Sequence, residues 1–203
     1  MIHVDEKPEP TDFDQKVRQK GLCWMDIHHI EREKPLPDKI KLKDYWRNCL
    51  ADMYKLYNGC CAYLGIRLNR CQTITIDHFL PKSKYPKLAY EWSNYRLCSP
   101  TVNSYKKDKE GVLDPFQIET GWFWFDFVDG SVYENESLSS ERKESVVNTI
   151  RLLKLNDSRF CEERCRLWDS FKGQPDELKN NAPFIYAEAV RQNRLHGESE
   201  LSF

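Results

Sequence analysis

Apolar positions are distributed unevenly along the 203 residues. The first forty show little periodicity. Pro8, Pro10, Pro35 and Pro37 punctuate them, leaving room for one short helix around residues 13–24 in what otherwise looks like an extended, wrapping arm. From Leu42 the pattern changes. Tyr45, Trp46, Cys49, Leu50, Met53, Leu56 and Tyr57 recur at steps of three and four, the spacing of an amphipathic helix, and Asn58-Gly59 is a good stop for it. Residues 60–64 and 72–76 are short β-prone runs with Gly65 and Asn69 between them. In the second, Thr73, Ile74, Thr75 and Ile76 alternate polar and apolar. The two runs predict a β-hairpin whose second strand ends in Asp77-His78. Ser99-Pro100 then predicts a helix start, with Ser as cap and Pro in the first turn, and that helix carries Asn103, Lys106 and Lys107. Downstream, residues 122–127 and 131–134 predict a second hairpin through Asp129-Gly130. Two helices broken near Asn156-Asp157 follow, then a last helix opened by Pro183 and a tail expected to fray after Gly197. The fold class expected is α+β, in three parts: an arm over 1–40, a central part over 41–110, and a hairpin with helices over 111–203.

Composition narrows the class. Aromatic residues make up 13% of the chain, too many for a mostly disordered protein, and no apolar run approaches the length of a membrane span. The first ten residues lack the basic start and apolar run of a secretory signal. A cytoplasmic protein is therefore expected, with its eight cysteines mostly reduced. The formal net charge of −1 hides an asymmetry. Residues 67–109 carry nine basic and three acidic side chains, whereas the stretch after them is strongly acidic. A near-neutral total argues against a protein that coats nucleic acid, and the local excess is compatible with gripping a phosphate backbone at one place.

The same basic segment holds the candidate chemistry. Asp77 and His78 stand at a strand end, Asn94 and Arg96 follow after a loop with Pro81 and Pro86, and Asn103, Lys106 and Lys107 lie on the helix after that. Hydrolysis of a phosphodiester needs a base for water, a cation near the leaving oxygen, and positive groups on the phosphate. An imidazole titrates near neutrality and suits the base role. Carboxylate and amide oxygens suit a hard divalent ion such as Mg²⁺, with Mn²⁺ as substitute. Lys82, Arg96, Lys106 and Lys107 are candidates for holding phosphates. Taken singly, the same residues are equally well read as a packed histidine, a turn aspartate and two capping asparagines.

These residues resemble the motif of the HNH endonucleases, which have a ββα-metal fold. Asp77-His78 matches the family's Asp-His. Asn94, sixteen residues on, matches the middle Asn, and Asn103, nine further, matches the last position with Asn in place of His. Lys106 falls where many members keep a basic residue. The resemblance implies an HNH ββα-metal core set in a mainly helical domain. It also implies His78 as general base, Asp77 and Asn103 as metal ligands, and Asn94 as organiser of the loop that orients the histidine. The family's paired Cys-x-x-Cys zinc ligands are absent. Cys61 has Leu64 where its partner belongs, residues 99–102 hold no pair, and Cys60, Cys71 and Cys98 are expected to be reduced core residues, so no structural zinc is expected. His28-His29 is expected to be an exposed pair.

Outside the motif, Leu113-Asp114-Pro115, an aromatic strand and the stretch 150–156 resemble one branch of the family, the HNH subunits of antiphage defence modules of the Septu and retron-associated type. That branch implies an ABC-like ATPase partner, with the arm or the acidic C-terminal helices as its dock, and a nucleic-acid substrate, DNA foremost. Two alternatives stand beside this expectation: an inactive nucleic-acid-binding or scaffold subunit, and a nuclease acting on RNA such as tRNA, with Tyr85, Tyr90 or Tyr105 stacking unpaired bases.

Overall fold

The computed structural model describes residues 1–69 and 74–195, which divide into two compact units. The tail after Gly197 and Cys71 lie outside the described residues, as does part of the first predicted hairpin.

The first unit comprises Asp5–Gly59 and Leu68–Glu110. Within the stretch predicted as an extended arm, residues 13–25 instead contribute to its core. A π-helical turn over Asp14–Arg18 runs into helix α1, Gln19–Ile27, and Phe13, Val17 and Met25 are fully buried. Pro8 and Pro10 precede this helix and Pro35 and Pro37 follow it, so the prolines bound a helix and leave its interior intact. A 3₁₀ turn over Tyr45–Cys49 leads into α2, Leu50–Leu56, which ends where Asn58 and Gly59 take positive φ, as the sequence predicts. On α1, Gly21 allows a close approach. A methyl group there would lie 2.2 Å from the ring carbons of Tyr90. Gly21→Ala, although the better helix former, is therefore expected to lower stability by about 1–3 kcal/mol through overpacking, read as a lower midpoint in urea unfolding. An unchanged midpoint would mean that Tyr90 yields freely.

Strand β1, Thr75–His78, pairs antiparallel with β2, Tyr95–Cys98. This corrects the predicted hairpin. The run at 60–64 belongs to the other unit, where Cys61 N–H bonds to Ile66 O at 2.9 Å and Cys60 bridges Arg67. Asp77-His78 thus closes the first strand of its sheet, with a long loop between the partners. Helix α3, Pro100–Lys106, follows β2 directly and packs on β1. It starts as the sequence predicts, with the Ser99 hydroxyl accepting from Val102 N–H and Pro100 in the first turn.

The second unit holds Met1–Val4, Cys60–Arg67 and the chain from Gly111 on. Strands β3, Phe123–Phe125, and β4, Val132–Glu134, form the predicted antiparallel hairpin. Helix α4, Ser140–Leu153, and α5, Ser158–Phe171, break where Lys154 turns left-handed and Asp157 caps the next helix. A short helix α6, Pro175–Asn181, escaped prediction; α7, Pro183–Arg191, did not. Arg164 is 1% exposed and ties the unit together, donating to Gly130 O at 2.9 Å and Leu155 O at 2.8 Å. Among the described residues no helix is long and apolar enough to cross a membrane. Among the described residues the architecture is α+β, mainly helical with two small antiparallel sheets.

The thiols differ sharply in setting. Cys23 is exposed, whereas Cys49, Cys61 and Cys98 are buried. Brief alkylation of the folded protein is expected to label Cys23 and spare those three; labelling of all four at one rate would contradict this packing. Burial pushes the Cys49 thiol up to about 12, with Lys16 opposing and Asp52 and Asp12 adding to the rise. The unfolded thiol ionises near its ordinary value of 9.0 while the folded one stays protonated. This contribution to stability is complete below pH 9 and is lost as pH climbs toward 12. Cys49→Ala is expected to flatten that alkaline decline in thermal unfolding.

Candidate active site

The β1–β2 register sets Asp77 opposite Arg96 and His78 opposite Tyr95. The His78 ring is held on three sides. Trp46 meets it perpendicularly at 4.7 Å between centroids, and Tyr95 does so at 5.2 Å. Its Nε2 lies 2.9 Å from the main-chain oxygen of Ala89, which also accepts from the Tyr95 hydroxyl at 2.8 Å. A carbonyl only accepts, so Nε2 carries the proton of the neutral ring and Nδ1 is left with the lone pair. Burial pushes the His78 imidazole down to about 3, with the Lys82 and Lys106 charges reinforcing it and the Ala89 bond opposing. The ring is therefore neutral at physiological pH, and the same burial opposes the positive charge it would gain on taking a proton.

Asp77 is also buried, and its carboxylate is paired. Lys106, 0% exposed, places Nζ 3.1 Å from it and donates to the carbonyls of His78 and Phe79, each at 2.8 Å. All three ammonium donors are thus used within one turn of chain. Lys106 reaches these acceptors from the last turn of α3, so the ion pair fastens the helix to the end of β1.

Asn94 organises the loop between the strands. Its Oδ1 accepts from Leu80 N–H at 2.8 Å, and its Nδ2 donates to Leu80 O at 3.0 Å and Leu88 O at 3.1 Å. The main-chain oxygen of Asn94 receives Phe79 N–H at 2.9 Å. One residue therefore joins both ends of the loop and its last 3₁₀ turns, and it does not touch the His78 ring through any of these bonds.

Asn103 stands on α3 with Nδ2 3.5 Å from the Thr75 hydroxyl. That contact uses the amide nitrogen and not the amide oxygen. Asp77 and Asn103 offer one carboxylate and one amide oxygen from β1 and from α3, the helix packed on it. This donor set fits a hard divalent cation, which keeps most of its waters and takes few protein ligands. Because Lys106 already balances Asp77, a cation held there would have to share that carboxylate or displace the ammonium. Among the described residues no three His, Cys, Asp or Glu side chains converge as a metal cluster.

The phosphate-binding expectations divide. Arg96 is 3% exposed; its guanidinium donates to Ser93 O and Tyr95 O and lies over the Phe79 ring. Lys106 is committed to Asp77. Neither is placed to meet a phosphate, because a four-residue strand buried along its length and the last turn of a packed helix both point these cations inward. Lys107 is exposed at the end of α3, and Lys82 is half-buried with Nζ 5.2 Å from the Trp46 ring centre. Tyr90, 1% exposed, packs against Gly21 and cannot stack an unpaired base, while Tyr85 donates to Glu110. Cys60 and Cys61 belong to one unit and Cys98 to the other. His28 is exposed and stacks on Trp24.

Sequence reasoning missed Trp46, Tyr95 and the Ala89 carbonyl. Trp46 has the spacing of a helix core position, Tyr95 that of a strand, and a main-chain acceptor leaves no mark in side-chain chemistry.

No family model matches the chain. Over 78 residues it is 30% identical to Septu protein PtuB from Bacillus thuringiensis, a stretch covering 36% of this chain and 29% of that protein. The matched part is thus under a third of the length of this curated relative.

Proposed function

We propose that the protein is a metal-dependent endonuclease of the HNH type, hydrolysing phosphodiester bonds as the nuclease subunit of an antiphage defence complex. The observation that carries the reading is the fixed, neutral imidazole of His78 beside Asp77, at the end of a strand whose partner leads into the helix bearing Asn103. The order strand, Asn-pinned loop, strand, helix supports a ββα core. The similarity to a Septu protein supports the defence role, and the ABC-like ATPase partner rests on the family resemblance of the motif.

In this reading His78 Nδ1 takes a proton from the attacking water, while the Ala89 carbonyl keeps Nε2–H in place and stabilises the charge as the ring becomes cationic. Trp46 and Tyr95 restrict the ring to one orientation. Asp77 and Asn103 would hold a divalent ion, which offsets charge on the leaving oxygen. Lys107 and Lys82 attract the neighbouring phosphates.

Incubation of the protein, alone and with its ATPase partner, with supercoiled plasmid and with an RNA pool tests this. Nicking or strand cleavage that needs Mg²⁺ or Mn²⁺ and stops with EDTA is expected. Cleavage of the RNA pool alone would make the substrate RNA. The Lys106–Asp77 pair favours one competing reading, a nucleic-acid-binding subunit without activity. Retarded migration of DNA with no cutting under any metal would select it.

A further inference from the structure

A hollow of about 280 Å³ opens beside the candidate active site, lined by Trp46, Arg47, Leu50, Ile74, Thr75 and Pro100. Its walls touch both halves of that site. The Trp46 ring rests on His78, and the Thr75 hydroxyl meets the amide of Asn103. The hollow is smaller than the usual range for drug-sized ligands, about 300–1,000 Å³, and has the scale of a single ring system. Its lining is mostly apolar and includes an indole, and it carries one cation, Arg47. Arg47, whose side chain is 76% exposed, is tethered to Asp44 at 2.7 Å, and Lys82 lies over the same indole.

Resting on the nuclease reading, we infer that this hollow is a nucleobase subsite, taking the unpaired base of a nucleotide adjacent to the scissile phosphate. Three features select that occupant. An aromatic and aliphatic lining receives a flat heterocycle without reading its sequence, because every base has an apolar face. The rim guanidinium can bond to base-edge acceptors or to the following phosphate. The indole that lines the hollow also meets the His78 ring, 4.7 Å between centroids, so a base seated here lies one side chain away from the imidazole. A base inside a duplex cannot enter, since it is stacked and paired. The substrate class is therefore nucleic acid with at least one unstacked nucleotide at the cut: a single strand, a loop, a bulge or a frayed end. Trp46 takes the part that the sequence offered to Tyr85, Tyr90 or Tyr105.

The test uses the full chain with DNA and RNA strands carrying 2-aminopurine or an abasic residue at successive positions, first in EDTA for binding and then in Mg²⁺ for cleavage. One position is expected to show altered 2-aminopurine emission on binding. Removing the base there is expected to weaken binding and cleavage by about 5- to 100-fold. Arg47→Ala, at an exposed site, and Leu50→Phe, which fills the hollow, are each expected to abolish the position-specific signal, with unchanged thermal midpoints showing that the fold is kept. If cleavage proceeds but no position is sensitive to base removal and both variants cut like the wild type, the subsite is wrong and the nuclease reading survives. If a position-specific signal is lost in the variants but nothing is ever cut, the subsite stands and the nuclease reading falls. If the variants bind nucleic acid normally and instead lose co-purification with a partner protein, the hollow is a protein dock and the inference is overturned.

Discussion

His78→Ala is expected to slow phosphodiester cleavage by about 10²- to 10⁴-fold while leaving the protein folded. The size of the loss follows from the ring's isolation. It is the one imidazole of the site, neutral at working pH, with Nδ1 unprotonated and Nε2 anchored. No neighbouring side chain can replace it, because Asp77 is tied to Lys106. The fold should tolerate the change, since the Ala89 oxygen keeps its bond from the Tyr95 hydroxyl and is not left orphaned. What remains is a small cavity between Trp46 and Tyr95, costing about 1–3 kcal/mol. Single-turnover cleavage at saturating Mg²⁺ measures the chemical step, and urea unfolding measures the fold. Partial recovery on adding free imidazole would identify the missing group as a base. Cleavage at the wild-type rate would remove His78 from the mechanism.

Lys106→Met should act mainly on stability, by about 3–5 kcal/mol. The substitution nearly preserves side-chain length but deletes the ammonium. It leaves a buried carboxylate at Asp77 without its cation and takes the donor from the His78 and Phe79 carbonyls. The penalty comes mostly from the abandoned charge, so it should shrink when the charge is removed as well. The double variant Asp77→Asn/Lys106→Met is expected to be more stable than Lys106→Met alone, a coupling that distant, independent sites would not show. Urea midpoints of the four proteins give the cycle directly. Additive effects would mean that the carboxylate finds water once the lysine is gone, and that the pair contributes little.

Local signals in the sequence were reliable where a single residue type dictates backbone geometry. Ser99-Pro100 opened α3, Asn58-Gly59 closed α2, Asp129-Gly130 joined β3 to β4, and the break near Asn156-Asp157 separated α4 from α5. Pairing was not legible. A strand as short as Thr75–His78 carries too little pattern to choose between the nearest β-prone run and one beyond a long loop, and it pairs with Tyr95–Cys98. Charge was legible as a count but not as a direction. Two of the nine basic residues in 67–109, Arg96 and Lys106, face inward and spend their donors on carbonyls and Asp77. The N-terminal forty residues misled for a related reason. Prolines mark an extended chain, yet four of them can equally frame a helix whose Phe13, Val17 and Met25 fill the core. For that reason, deleting residues 1–40 would remove part of a hydrophobic core along with any docking surface.

The group that aims the histidine is a peptide oxygen, at a position that is already alanine. A conventional alanine scan passes over it in silence, and no exchange of side chain deletes it. The aim of the imidazole is stored in the path of the chain through the Pro86–Leu88 turn, where Ala89 N–H closes back on Pro86 O. Substitutions that reroute this turn should therefore behave as active-site lesions despite sitting outside it. An ester in place of the peptide group between Ala89 and Tyr90, which weakens the carbonyl as an acceptor, is the chemical edit that reaches the contact itself.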